Sequence, residues 1–195
     1  IQDTTEINLI NHRRRIQKDN YIGTTNAKNE RGLGFMVHPS LVLDALTLYP
    51  YGYADIKIWN RPQEFRSKHQ RQYDKLPIEE KESYKWIEVS KKTQANLRDV
   101  VPGMIIVQDR EGDIYEQFAV IPDDKTDLLI RARTNRTLAD GKKLFDCLSD
   151  ADVAGSYAIN IPVKKERKSR TAQIEIRYKP IEILKTSSSS KDAPK

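Results

Sequence analysis

Apolar positions alternate, or run together, in a series of short segments along the chain. Residues 34 to 48 (GFMVHPSLVLDALTL) are apolar and rich in branched side chains, and in residues 52 to 60 Tyr53, Asp55 and Lys57 alternate with Ala54, Ile56 and Ile58. This pattern predicts two adjacent strands. Residues 11 to 33 show no period and predict a long loop. From Pro77 the chain reads as one long helix, with Glu79 and Glu80 early and Lys91, Lys92 and Arg98 late, as the helix dipole favours. Val101-Pro102-Gly103 ends it. Met104 to Val107 is wholly apolar and predicts a buried central strand. Ile114, Phe118 and Ile121 at helical spacing predict a short helix over 113–121, and Asp127 to Arg131 a further strand. With a first strand at the amino end, the expected order is strand, strand, strand, helix, strand, helix, strand.

Beyond residue 137 the period changes to two. Tyr157, Ile159, Ile161 and Val163 alternate with polar residues, as do Ala172, Ile174, Ile176 and Tyr178. They predict an antiparallel hairpin whose tip, residues 164 to 170, carries five Lys or Arg and one Glu. Ile181, Ile183 and Leu184 suggest a third strand. The expected domains are therefore 1–137 and 138–195. The second ends in a polar tail from Ser187 that is expected to be mobile.

Composition narrows the function classes. Lys and Arg outnumber Asp and Glu by 34 to 28 in 195 residues, a net charge of +6, which favours a polyanionic partner. A single cysteine, Cys147, excludes an intrachain disulfide and a cysteine-based zinc cluster, so a cytosolic setting fits best. No apolar run approaches the roughly 20 residues of a membrane helix, and with no charged-then-apolar leader in the sequence no export signal is expected. The first residue already reads as part of a core strand, which suggests a fragment of a longer protein.

Two aspartates carry the candidate chemistry. Ile1-Gln2-Asp3-Thr4-Thr5 and Val107-Gln108-Asp109-Arg110-Glu111-Gly112-Asp113 each place an aspartate, Asp3 and Asp109, at the end of an expected strand. A carboxylate at a strand end points into the crevice where open α/β sheets hold ligands, and hard divalent cations take oxygen donors from separate segments. Two ions about 3.5 to 4 Å apart can then support phosphoryl transfer, given a third carboxylate. Within the chain Asp113 and Glu111 are the nearest candidates for that third acid. The alternative is that Asp109 or Asp113 caps the next helix and Asp3 opens a turn. Arg131, Arg133 and Arg136 follow the second aspartate, and strand alternation would put Arg131 and Arg133 on one face, where arginine suits phosphate. His12, His38 and His69 lack metal-ligand spacing, and His38 reads as a core histidine. Lys81 to Trp86 reads as an exposed helix face, Trp59 and Trp86 as core or half-buried. No serine has the partners of a nucleophile, and Gly32 and Gly34 are too sparse for a phosphate loop.

Taken in order, Gln2-Asp3-Thr4-Thr5, Gly34-x-x-Val37-His38, Glu80-Lys81-Glu82-Ser83 with Lys85-Trp86, and Asp109-Arg110-Glu111-x-Asp113-Ile114 form a distinctive set. Arg131-x-Arg133-x-x-Arg136, Leu144-Phe145-Asp146-x-Leu148 and Gly155-x-Tyr157-x-Ile159-x-Ile161-Pro162 continue it. Over about residues 1 to 184 the chain resembles the insertion-sequence-four family of bacterial transposases. The resemblance implies an α/β fold, an RNase H-like mixed sheet with flanking helices, plus an antiparallel β insertion subdomain. It implies that Asp3 and Asp109 are the first two acids of an Asp-Asp-Glu triad holding two Mg²⁺ or Mn²⁺ ions. Arg131 matches a DNA-contacting arginine, with Arg133, Arg136 and the hairpin residues Lys164, Lys165, Arg167 and Lys168 as further DNA-binding candidates. The implied activity is cut-and-paste transposition by end nicking, hairpin formation and strand transfer, in a bacterial cytoplasm. The partners would be double-stranded DNA (transposon ends and target) and, in the full-length protein, a second copy, with no membrane. The family's third acid lies in a Tyr, Arg, Glu, Lys signature that residues 138 to 195 do not contain, so the fragment by itself is expected to be inactive. A related metal-dependent nuclease and an inactive DNA-binding remnant are the alternatives.

Overall fold

The computed structural model describes residues 1–19, 21–25, 32–61, 76–164 and 167–185. It is a mixed α/β structure that divides into two compact units, Ile1–Arg133 and Thr134–Lys185. The sequence pattern changes at 137–138, but the break falls after Arg133: the Arg133 amide donates to Asp113, whereas the Arg136 carbonyl accepts the Leu144 amide and the Leu138 amide donates to the Lys142 carbonyl.

In the first unit β1 (Thr5–Asn8), β2 (Gly34–Leu43) and β3 (Pro50–Trp59) form an antiparallel sheet, and β4 (Met104–Gln108) and β5 (Thr126–Ile130) pair in parallel. Gln2, just ahead of β1, is bridged to Ser40 of β2 on one side and to Gln108 of β4 on the other. The sheets thus run together in the order β3-β2-β1-β4-β5. Gly34 is required where β2 starts: at φ +150° a Cβ there would stand 1.9 Å from the Ile7 carbonyl oxygen.

Helix α1 (Tyr84–Leu97) packs on β2 and β3, and α2 (Tyr115–Val120) follows β4. The long helix expected from Pro77 is broken. Ile78–Glu80 is a separate 3-10 turn, and Lys81 is extended at ψ 143°. Ile78 and Ile87 share one apolar cluster with Ile106 and Ile121. In an unbroken helix nine residues would separate them by about 13 Å along the axis, so the break brings Ile78 back into the core. The expectation of a fully buried β4 is also corrected. Ile106 is buried, but Ile105 on the opposite face is 59% exposed, so α1 and α2 cover one face only.

In the second unit β6 (Gly155–Ile161) and β7 (Arg170–Ile176) form the expected antiparallel hairpin. A short helix, α3 (Leu144–Ser149), was not foreseen: Leu144 and Cys147 pack with Leu138, and Asn135 accepts the Phe145 amide at 2.9 Å. The expected third strand reduces to a single bridge, Leu138 to Ile183, since Pro180 has no N–H and the chain at Leu138 turns away at Gly141. The tail from residue 186 lies outside the described residues, as do His69 and Lys165.

Candidate functional site: two aspartates at a strand divergence

The parallel bridge between Gln2 and Gln108 places Asp3 and Asp109 one residue past it on neighbouring strands. The Gln2 amide donates to the Val107 carbonyl at 2.9 Å, which anchors that register. Successive residues of a strand point to opposite faces. Gln2 and Gln108 are buried, and Asp3 and Asp109 are exposed. Strand alternation therefore puts both aspartates on the face opposite the glutamines, each one residue past the bridge. Beyond them the backbones part: β1 continues along β2 to Asn8, and the chain after β4 turns into the 3-10 helix Arg110–Gly112. Asp3 thus lies where β1 leaves β4, and not at the end of its own strand.

Each carboxylate is oriented locally. Asp3 Oδ1 accepts the Thr4 amide at 2.7 Å, and Asp109 Oδ1 accepts the Glu111 amide at 2.7 Å as the cap of the 3-10 turn. Among the described residues neither makes another hydrogen bond through its second oxygen. Capping and cation binding are compatible here, because the cap occupies one oxygen of two.

The other two acids of the second motif separate clearly. Asp113 is buried, and its Oδ2 accepts the Arg133 amide at 2.8 Å, which makes it a tie between the turn and the segment after β5. Glu111 is exposed, and its carboxylate is 3.9 Å from Lys85 Nζ. Among the described residues no three of His, Cys, Asp and Glu are grouped so as to hold a metal ion. Two carboxylates from separate strands have the hard-oxygen chemistry that Mg²⁺ or Mn²⁺ takes, and they fit part of such a site.

Lys85 corrects the reading of residues 81 to 86 as an exposed face. Lys85 and Trp86 are buried, and Lys85 Nζ lies 5.3 Å from the Trp59 ring centre and 5.8 Å from that of Trp86. Burial lowers its pKa, while Glu82, Glu111 and Asp3 act in the opposite direction. A cation thus faces the acids from inside the protein. His38 lies beneath, fully buried, its ring edge-on to Trp86 at 4.4 Å and Nδ1 2.8 Å from Thr4 Oγ1. Its Nε2 has no hydrogen-bond partner among the described residues. Burial, with Lys85 and Lys57 nearby, pushes its pKa down to about 4, so it is a neutral core histidine at physiological pH.

The arginines fall in different settings. β5 ends at Ile130, so strand alternation does not extend to Arg131 and Arg133. Arg131 is exposed, and its amide donates to the Gln108 carbonyl at 3.3 Å, which sets its backbone beside the residue preceding Asp109. Arg133 is exposed as well. Arg136 belongs to the second unit and is buried. Lys164, Arg167 and Lys168 are exposed at the hairpin tip, where Lys164 and Arg167 exchange backbone hydrogen bonds at 3.0 and 3.1 Å.

One set of residues was missed. Beneath the aspartates lies a buried, uncharged network. Gln108 Nε2 donates to Gln2 Oε1 at 2.7 Å and to Ser90 Oγ at 3.1 Å, and Gln117 Nε2 donates to Gln108 Oε1 and to the Gly112 carbonyl at 2.9 Å. Ser90 Oγ donates to the Trp86 carbonyl at 2.7 Å, and Thr93 bonds Ser40 at 2.8 Å. The signal was the repeated pair of an apolar residue and Gln directly before each Asp, Ile1-Gln2-Asp3 and Val107-Gln108-Asp109. No protein-family model matches the chain.

Proposed function

We propose that this chain is part of a DNA-cutting and DNA-joining enzyme of the insertion-sequence-four transposase type, with Asp3 and Asp109 as ligands for Mg²⁺ or Mn²⁺ and DNA phosphodiesters as substrate. The observation that supports the reading is the bridge between Gln2 and Gln108, after which each of the two strand segments carries an exposed aspartate, Asp3 and Asp109. The strand order β3-β2-β1-β4-β5, three strands antiparallel and two parallel, supports an RNase H-like core. The hairpin unit corresponds in this reading to the β insertion.

The residues divide the work. Asp3 and Asp109 each keep one oxygen in a backbone hydrogen bond and offer the other to a cation. When bound, the divalent ions activate the attacking oxygen and stabilise the leaving oxygen of an in-line displacement at phosphorus. Arg131, just past the end of β5 with its amide on the Gln108 carbonyl, offers a planar fork for a DNA phosphate. Lys164, Arg167 and Lys168 offer further phosphate contacts on the hairpin unit. The third acid of the proposed triad is not among the described residues.

The test is duplex DNA binding measured by fluorescence anisotropy with and without Mg²⁺. Two bare carboxylates repel phosphate, and a cation between them attracts it. Mg²⁺ is therefore expected to tighten binding by the wild-type chain and to leave Asp3→Asn/Asp109→Asn unchanged, with affinity falling as salt rises. Absence of binding at low salt, or equal dependence on Mg²⁺ in both proteins, would contradict the proposal.

A further inference from the structure

The join between β1 and β4 is unusually thin. β4 and β5 are laced by five consecutive residue pairs and β1 and β2 by four, whereas β1 meets β4 through the single Gln2–Gln108 bridge. A slip of one residue there would turn one aspartate to the face opposite the other. Beside the backbone bond from the Gln2 amide to the Val107 carbonyl, a pair of side-chain amides pins the register, Gln108 Nε2 donating to Gln2 Oε1 at 2.7 Å. The pin extends to the turn that Asp109 caps: Gln117 bonds both Gln108 and the Gly112 carbonyl, and α1 adds Ser90. Gly112 is part of the fit, since a Cβ there would stand 2.3 Å from Gln108 Oε1.

We infer that Gln2, Gln108 and Gln117 are positioning residues that set the spacing of the Asp3 and Asp109 carboxylates for a divalent cation. This rests on the reading of those aspartates as cation ligands. The network is neutral throughout, so it neither competes for the cation nor repels it. Its members adjoin both acids: Gln2 directly precedes Asp3, Gln108 directly precedes Asp109, and Gln117 bonds the Gly112 carbonyl of the turn that Asp109 caps. A core that needed only stability would be served as well by apolar side chains of the same size.

Substituting both amides of the pair keeps the fold testable. In Gln2→Met/Gln108→Met the Gln117 amide retains the Gly112 carbonyl and Ser90 retains the Trp86 carbonyl, so those donors are not orphaned. The experiment is a Mn²⁺ titration of the whole chain, followed by paramagnetic broadening of amide resonances in nuclear magnetic resonance spectra, with urea unfolding in parallel. Wild type is expected to show broadening centred on Asp3 and Asp109 that Asp3→Asn and Asp109→Asn abolish. Gln2→Met/Gln108→Met is expected to stay folded and bind Mn²⁺ about 10-fold more weakly. Ile106→Val, a destabilising change on the same strand, should leave the affinity unchanged. If the double variant does not fold, Gln117→Met reads the same effect and is expected to lose about 10-fold. Wild-type Mn²⁺ affinity in the glutamine variants, with the aspartate variants silent, would overturn the positioning role alone. No localised broadening in wild type, or broadening that survives both aspartate substitutions, would overturn the ligand reading and the positioning role together.

Discussion

The layer between α1 and the sheet has two halves of different character. One is an apolar cluster of Ile78, Ile87, Ile106 and Ile121, and the other is the amide and hydroxyl network of Gln2, Ser40, Ser90, Thr93, Gln108 and Gln117. β4 contributes to both, with Ile106 in the first and Gln108, two residues on, in the second. The apolar half is non-directional and tolerates small shifts at modest cost, whereas a hydrogen-bonded network accepts one geometry. The directional half lies beneath the acids. Stability is thus supplied at one end of the strand and register at the other.

The largest effect should come from the apolar half. Ile106→Ala removes a fully enclosed side chain from the cluster and is expected to destabilise the fold by about 2 to 5 kcal/mol in urea unfolding. A cost under about 1 kcal/mol would mean that the cluster is not the stabilising half.

Next comes pH. His38 is held neutral, with its folded pKa of about 4 below the ordinary 6.5. The unfolded chain therefore binds the extra proton between these values. Stability is full above pH 6.5, falls as pH drops toward 4, and levels off below, a loss of about 3 kcal/mol from this group. The lowered carboxylates Asp19, Asp44 and Asp123 act at lower pH, below their ordinary 3.8. Unfolding free energies measured at pH 7.5 and pH 5 should thus diverge in wild type and converge in His38→Gln. A slope retained in His38→Gln would place the titrating group elsewhere.

The smallest effect belongs to the network. Gly112→Ala forces a Cβ against the Gln108 amide and is expected to cost about 1 to 3 kcal/mol. Hydrogen exchange should quicken at Asp109 and Glu111, with Ile87 and Ile106 unaffected. Uniformly faster exchange would show the two halves to be one cooperative unit.

The same contrast explains what was legible in the sequence. Strands β2 to β5, the β6–β7 hairpin and α2 follow from alternation and apolar runs in the sequence. The two aspartates stood out through their neighbours. The network did not, because Gln, Ser and Thr are usually surface residues. Lys85 was misread for the same reason: a buried lysine looks like a solvated one until Trp59 and Trp86 are seen around it. The break at Lys81 and helix α3 depend on long-range packing of Ile78 and of Leu144 with Cys147, which no local period records. Exposure of Ile105 follows from which face the helices cover, also a tertiary matter.

The pairing of Asp3 with Asp109 around a cation is the claim on which the rest depends. Its most direct test is a crystal of the chain grown with Mn²⁺ and measured at a wavelength where manganese scatters anomalously. The predicted result is an anomalous peak within about 2.5 Å of a carboxylate oxygen from each aspartate. Aspartate carboxylates more than about 10 Å apart, or manganese bound only elsewhere, would contradict it.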